Sequence, residues 1–162
     1  MSLLLRMKKR TRVSDAAEGD VVVLEGKVAE GKAMTVPGTS VKCVAYWLLT
    51  EAWQHGARGR GRKMWVPSNQ AMRTEGFYLD DGTGTIWVGG TEEALELIGG
   101  REEAGPMGKK GKARYFCRTI ARGDTVRVQG TLDRPRGSEP GDSLVVRPGP
   151  KGILRVMLRK KG

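Results

Sequence analysis

Two stretches of this chain start, run and bend alike. Residues 19–28 (Gly-Asp-Val-Val-Val-Leu-Glu-Gly-Lys-Val) and 123–132 (Gly-Asp-Thr-Val-Arg-Val-Gln-Gly-Thr-Leu) both open on Gly-Asp, carry apolar residues at the fourth and sixth positions, and place a glycine at the eighth. Apolar residues at every second position describe a strand with one buried face. A glycine inside such a strand marks a sharp bend or a close backbone approach. Gly26 and Gly130 therefore predict strands that coil from one half of a small barrel into the other. The segments that follow differ and a repeat array needs three or more units, so the echo is convergent strand chemistry rather than a tandem duplication.

Other strand signals are short. Residues 43–50, 115–120, 143–146 and 153–158 are apolar runs, and residues 76–80 and 85–88 flank Asp81, Gly82, Thr83 and Gly84, a hairpin turn. Glycine, at 24 of 162 residues, is more than twice the roughly 7% typical of proteins. One helix is expected over residues 91–98, with Thr91 as N-cap, acids in the first turn and Gly99 and Gly100 as its stop. The predicted fold is all-β: a small barrel of about six to seven strands with one short helix.

Charge divides the chain. Overall it is +11, but residues 1–13, 55–63, 108–118 and 151–161 hold 19 of the 29 bases and none of the 18 acids. Ten bases against eighteen acids remain, so the rest of the chain is −8. Residues 55–63 alternate glycine with Arg58, Arg60 and Arg62 before Lys63, which predicts a mobile insertion whose guanidinium groups reach phosphates. Residues 1–17 read as a basic N-terminal tail, 18–158 as one domain with that insertion and a basic loop at 99–113, and 159–162 as a basic C-terminal tail.

Several function classes drop out. No window approaches the roughly 18 consecutive apolar residues of a spanning helix, and Leu3, Leu4 and Leu5 are too few for a signal peptide. The expectation is a cytoplasmic chain, peripheral to a membrane at most. Cys43 and Cys117 lie far apart with no CxxC, and His55 is the single histidine, so no zinc site, metal ligand, catalytic residue or cofactor is assigned. No hydrolase, metalloprotease or P-loop string is present.

Residues 77–88 (Phe-Tyr-Leu-Asp-Asp-Gly-Thr-Gly-Thr-Ile-Trp-Val) resemble the central hairpin of OB-like domains. Taken in order with residues 37–46 and 122–130, they resemble the GIDE or "beside a membrane" (BAM) domain, known from membrane-anchored ubiquitin ligases and prokaryotic relatives. The resemblance covers roughly residues 18–158 and implies an OB-like barrel that contacts proteins, typically beside a membrane, without catalysis. This chain lacks the RING cysteines and histidines and the transmembrane helices of those ligases, and Cys117 stands where the family often has an acid. Ligase activity does not carry over.

Candidate binding residues follow from the loops and the aromatics. Arg58, Arg60, Arg62, Lys63, Lys109, Lys110 and Lys112 supply charge. Trp47, Trp53, Trp65, Phe77, Tyr78 and Trp87 fall in or beside the first basic loop and the hairpin, and Tyr78 and Trp87 are the pair expected to share a face with that loop. Asp80 and Asp81 point to opposite faces, which favours turn capping over a shared acid-base or cation site. Cys43 and Cys117 read as buried thiols, with a disulfide open if their strands are neighbours. Three functions compete: protein contact of the GIDE type, single-stranded nucleic-acid binding through basic loops and aromatics, and attachment to anionic lipid through Lys8, Lys9, Arg10 and Arg12. An enzyme is not expected.

Overall fold

The structure is a computed structural model describing residues 10–55, 61–107, 111–137, 139–140, 143–149 and 151–162. It is all-β. Among these residues the strands are β1 (Val21–Gly31), β2 (Met34–Thr35), β3 (Lys42–Cys43), β4 (Ala45–His55), β5 (Lys63–Asp80), β6 (Thr85–Thr91), β7 (Leu95–Ile98), β8 (Arg101–Met107), β9 (Ala113–Ile120), β10 (Thr125–Asp133), β11 (Val145–Arg147) and β12 (Leu154–Lys160). The only helical turn described is a 3-10 turn at Val13–Asp15.

Five strands pair in a ring. β1 lies antiparallel to β10 from Val21 to Lys27 and then crosses to β5, with Lys27 opposite Asp80. β5 pairs with β6, β6 runs parallel to β11, and β11 returns to β10. The inward residues are the apolar ones of the alternating pattern: Val22, Leu24, Phe77, Leu79, Ile86, Val88, Val126, Val128 and Val146 form one buried cluster.

Gly26 and Gly130 sit where strands change partners. A Cβ on Gly26 would lie 2.2 Å from the carbonyl oxygen of Asp80, and one on Gly130 2.4 Å from that of Arg147. No side chain fits either place.

Outside the ring, the first half of β5 leads into a wing. Its order is β5, β4, β9, β8, all antiparallel, with Trp47 opposite both Met72 and Arg118. One face of the wing is covered by the β2–β3 hairpin, where Met34, Val36 and Cys43 pack on Tyr46, Leu48 and Cys117. The other face has no such cover among the described residues.

Three expectations are corrected. Residues 91–98 are not a helix: a turn at Glu92–Ala94, closed by the Leu95 N–H to Glu92 carbonyl bond (3.2 Å), leads into β7. Leu95 and Leu97 are buried on one side while Glu96 points outward to Arg155 at 3.2 Å, the period of a strand. Hydrogen bonds to β12 outweigh the propensity of a segment too short to nucleate a helix. The count of six to seven strands is too low, because β2 and β3 are only two residues long, β7 lies in the segment expected as a helix, and β8 carries polar residues and no apolar run. Finally, most of 99–113 is strand β8 and the start of β9, leaving only 108–112 between them, while His55 and Lys63 close the β4–β5 ladder.

Candidate polyanion interface

The wing's open face is built from alternating residues of four strands. Register sets Glu102, Arg118, Trp47 and Met72 in one row, Ala104, Phe116, Leu49 and Gln70 in the next, and Pro106, Arg114, Glu51 and Pro67 in a third. A fourth row, at the tip, pairs Trp53 with Trp65 edge to face at 5.4 Å between ring centroids. Trp53 is 42% exposed, an unusual exposure for a tryptophan.

Arginines lie over this apolar floor. The Arg114 guanidinium sits 4.2 Å from the centre of Trp65 and 5.0 Å from that of Phe116, and Arg118 sits 5.3 Å from that of Trp47. Each is steadied by an acid: Arg114 Nε donates to Glu51 at 2.7 Å, and Arg118 lies 3.5 Å from Glu102. Two clefts follow the floor, one of about 480 Å³ over Trp47, Leu49 and Phe116, the other of about 390 Å³ over Trp65 and Phe116. Phe116 and Ala104 line both, so the clefts adjoin.

Strand ends that flank the two basic segments adjoin at the wing's tip. Because β4 and β9 are antiparallel, the end of β4 adjoins the start of β9, and the Trp53 N–H donates to the Lys112 carbonyl at 2.8 Å. Arg62, Lys63 and Lys112 are exposed there. Arg58, Arg60, Lys109 and Lys110 lie outside the described residues, within the two connections that depart from this tip.

Tyr78 and Trp87 lie elsewhere. They pair on the outside of the ring, 4.8 Å apart and edge to face, with Trp87 only 5% exposed against Gly76. Lys63 begins β5 and Tyr78 stands near its other end, so β5 separates them by about 50 Å of strand. The structure does not bring these two aromatics together with the basic loop. Arg114, Phe116 and Arg118, missing from the sequence-based site, were signalled by period-2 spacing within a basic segment.

The other two basic segments also converge. Arg10 and Arg159 both reach Glu25, at 2.7 and 3.5 Å, and Arg127 of β10 grips the same carboxylate through Nε and Nη2 at 3.1 and 2.9 Å. The N-terminal segment lies along β1, where the Thr11 N–H donates to the Val23 carbonyl at 2.8 Å.

Both turn aspartates act structurally. Asp81 accepts from the Val13 N–H (2.7 Å), the Thr83 N–H (2.8 Å) and hydroxyl (2.6 Å), and the Gly84 N–H (3.2 Å). Burial alone would raise its pKa, but these donors hold it below the ordinary carboxylate range. Among the described residues Asp80 accepts from the Gly82 N–H alone, at 2.9 Å, and shares no donor with Asp81. Cys43 and Cys117 are free buried thiols of one cluster, and burial, then the neighbouring Cys117, pushes Cys43 up to about 12.

The chain matches no protein-family model, no curated protein and no solved structure. Its function has to be argued from this geometry.

Proposed function

We propose that the chain is a non-catalytic domain that binds single-stranded nucleic acid on the open face of its wing. The carrying observation is that two basic connections leave the sheet beside a face floored by Trp47, Leu49, Trp53, Trp65 and Phe116. Bases stack on such rings whatever their sequence, while guanidinium and ammonium groups take the phosphates. The five-strand ring serves as a rigid mount, and its order with a single parallel pair, β6 with β11, supports reading it as an OB-type barrel.

Quenching of tryptophan fluorescence by oligothymidine tests this reading. Binding is expected to weaken steeply between about 50 and 200 mM salt, and Trp65→Ala or Trp53→Ala to cost about 1–3 kcal/mol, the range for one stacked base. Absence of binding at low salt would overturn it.

A second reading keeps the GIDE-type function, protein contact beside a membrane. It is favoured by the placement of residues 77–88 as the β5–β6 hairpin and of residues 123–130 at the start of β10, both in the ring. A single copurifying protein whose capture withstands high salt and ignores the Arg58, Arg60 and Arg62 to Ala variant would favour it over nucleic acid.

A further inference from the structure

We infer that the outer face of the ring around Glu25 is a second phosphate-binding surface for the same nucleic acid, an inference that rests on the wing reading. One carboxylate there faces three guanidinium groups, those of Arg10, Arg127 and Arg159. Register adds more charge, since Lys27 lies opposite Thr125 and Thr125 opposite Lys160. Arg12 is exposed on the rim of a cavity of about 760 Å³ that Arg10, Glu25 and Thr83 also line. Lys27, Lys160 and Arg12 are exposed and make no ion pair among the described residues. Asp81, also on that cavity, is occupied by the backbone of Val13 and by Thr83.

Six bases thus gather around Glu25 on a pleated surface, with Asp80 opposite Lys27 and Asp81 on the cavity as the other carboxylates. The Glu25 pair fixes Arg127, whose side chain is 10% exposed, while Arg10 and Arg159, 59% and 43% exposed, each keep guanidinium N–H groups for a ligand. The charge comes from four separate parts of the chain, the N-terminal segment, β1, β10 and the end of β12, so the fold itself assembles it. Of the exposed large apolar side chains described, only Val21 lies on β1, so the described residues of the patch hold no cluster of aliphatics to enter a lipid layer. That composition fits a phosphodiester backbone better than a bilayer. The surface lies at the opposite end of β5 from the wing's tip, so a strand touching both must span the molecule.

The test compares oligothymidines of about 8 and about 30 nucleotides, the shorter fitting a single site of OB size. Wild type is expected to bind the longer at least about tenfold more tightly after correction for the number of binding registers, because the second contact becomes intramolecular. The variant Arg10→Gln/Arg159→Gln/Lys160→Gln, which leaves the Glu25–Arg127 pair in place, is expected to lose that gain and lower the salt slope for the longer strand by about 2. Its affinity for the shorter strand should stay unchanged. An undiminished length gain in this variant overturns the second surface. So does binding to phosphatidylserine vesicles that the variant loses while long-strand affinity persists. Failure of wild type to bind the shorter strand at all refutes the wing reading instead.

Discussion

Gly26 and Gly130 are related by a local two-fold axis between β1 and β10: Gly26 faces Val126, and Gly130 faces Val22, its counterpart. The symmetry extends past the ladder. Val28 N–H donates to the Asp124 carbonyl and Gly123 N–H to that of Val28, while Leu132 N–H donates to the Asp20 carbonyl and Gly19 N–H to that of Leu132. The echo in the sequence is therefore a contact in space. Each segment uses its Gly-Asp start to close over the far end of the other, and its inner glycine to cross a third strand.

That geometry fixes the cost of filling either glycine. Both Cβ positions meet a backbone carbonyl, which cannot swing aside as a side chain would. Gly26→Ala and Gly130→Ala should each destabilise by about 1–3 kcal/mol or more, lowering Tm by roughly 2–4 °C per kcal/mol. Gly149→Ala, whose nearest neighbour would be 3.5 Å away, should stay within about 0.5 kcal/mol. Equal melting of all three would refute the crossing role.

Asp124 gives the ring an acid-sensitive joint. It is fully buried and accepts from Arg101 Nη2 at 2.7 Å and from the N–H groups of Gly162 and Ala121, both at 2.9 Å. Burial would raise its pKa, but the Arg101 bond and the two N–H groups outweigh it and lower it. Folding is then favoured by the ionised form. The contribution is complete above the unfolded pKa of about 3.9 and is lost as pH falls through the lower folded value. Urea titrations should show Asp124→Asn losing about 1–3 kcal/mol at pH 7, short of the roughly 3–5 for a fully buried pair, because Arg101 is 35% exposed. The difference from wild type should shrink below about pH 4; a constant difference would show that the charge is irrelevant.

The two thiols should be silent in the folded chain. Cys43 is 4% and Cys117 1% exposed, and burial is the largest influence raising both pKa values. An aromatic disulfide reagent at pH 8 is expected to label both in guanidinium and neither rapidly in buffer. Rapid labelling of the native state would mean that the β2–β3 hairpin opens readily from the wing.

Strand content was legible where burial wrote a period into the sequence. β1, β6, β10 and the end of β5 line the ring, and their inward residues recur at every second position, as Val22 and Leu24 do on β1 and Val126 and Val128 on β10. The start of β5 did not, because Ser68, Asn69 and Gln70 are exposed and Pro67 sits where the ladder to β4 shifts register. β8 is an edge strand whose Glu102, Glu103 and Pro106 are the residues that keep edges from pairing further, and they read as loop. β7 reads as a helix because Thr91, the acids after it and the Gly99–Gly100 stop supply cap, first turn and end, while Leu95, Leu97 and Ile98 over four residues satisfy either period. The basic segments were visible, but their pairing two by two was not, since it depends on β4 meeting β9 and on Arg10 and Arg159 sharing Glu25. Tyr78 and Trp87 drew attention as aromatics, whereas Arg114, Phe116 and Arg118 gained meaning only once β9 lay beside β4.

Glu51 decides how much of the wing's charge a ligand can use. Its carboxylate is 14% exposed and holds Arg114 at 2.7 Å, over the rings of Trp65 and Phe116. With the acid in place, Arg114 offers a stacking plane more than a net charge. Glu51→Gln keeps the shape and a hydrogen-bond acceptor but leaves the guanidinium's charge unbalanced. If nucleic acid binds this face, the variant should bind oligothymidine more tightly at low salt and with a slope of log affinity against log salt steeper by about 1. Arg114→Gln should shift the slope by at most about that amount the other way, and the double variant should show whether the two changes cancel. A slope unchanged in Glu51→Gln, with folding intact by thermal melting, would place the phosphates away from Arg114 and move the bound strand toward the tip residues Arg62, Lys63 and Lys112.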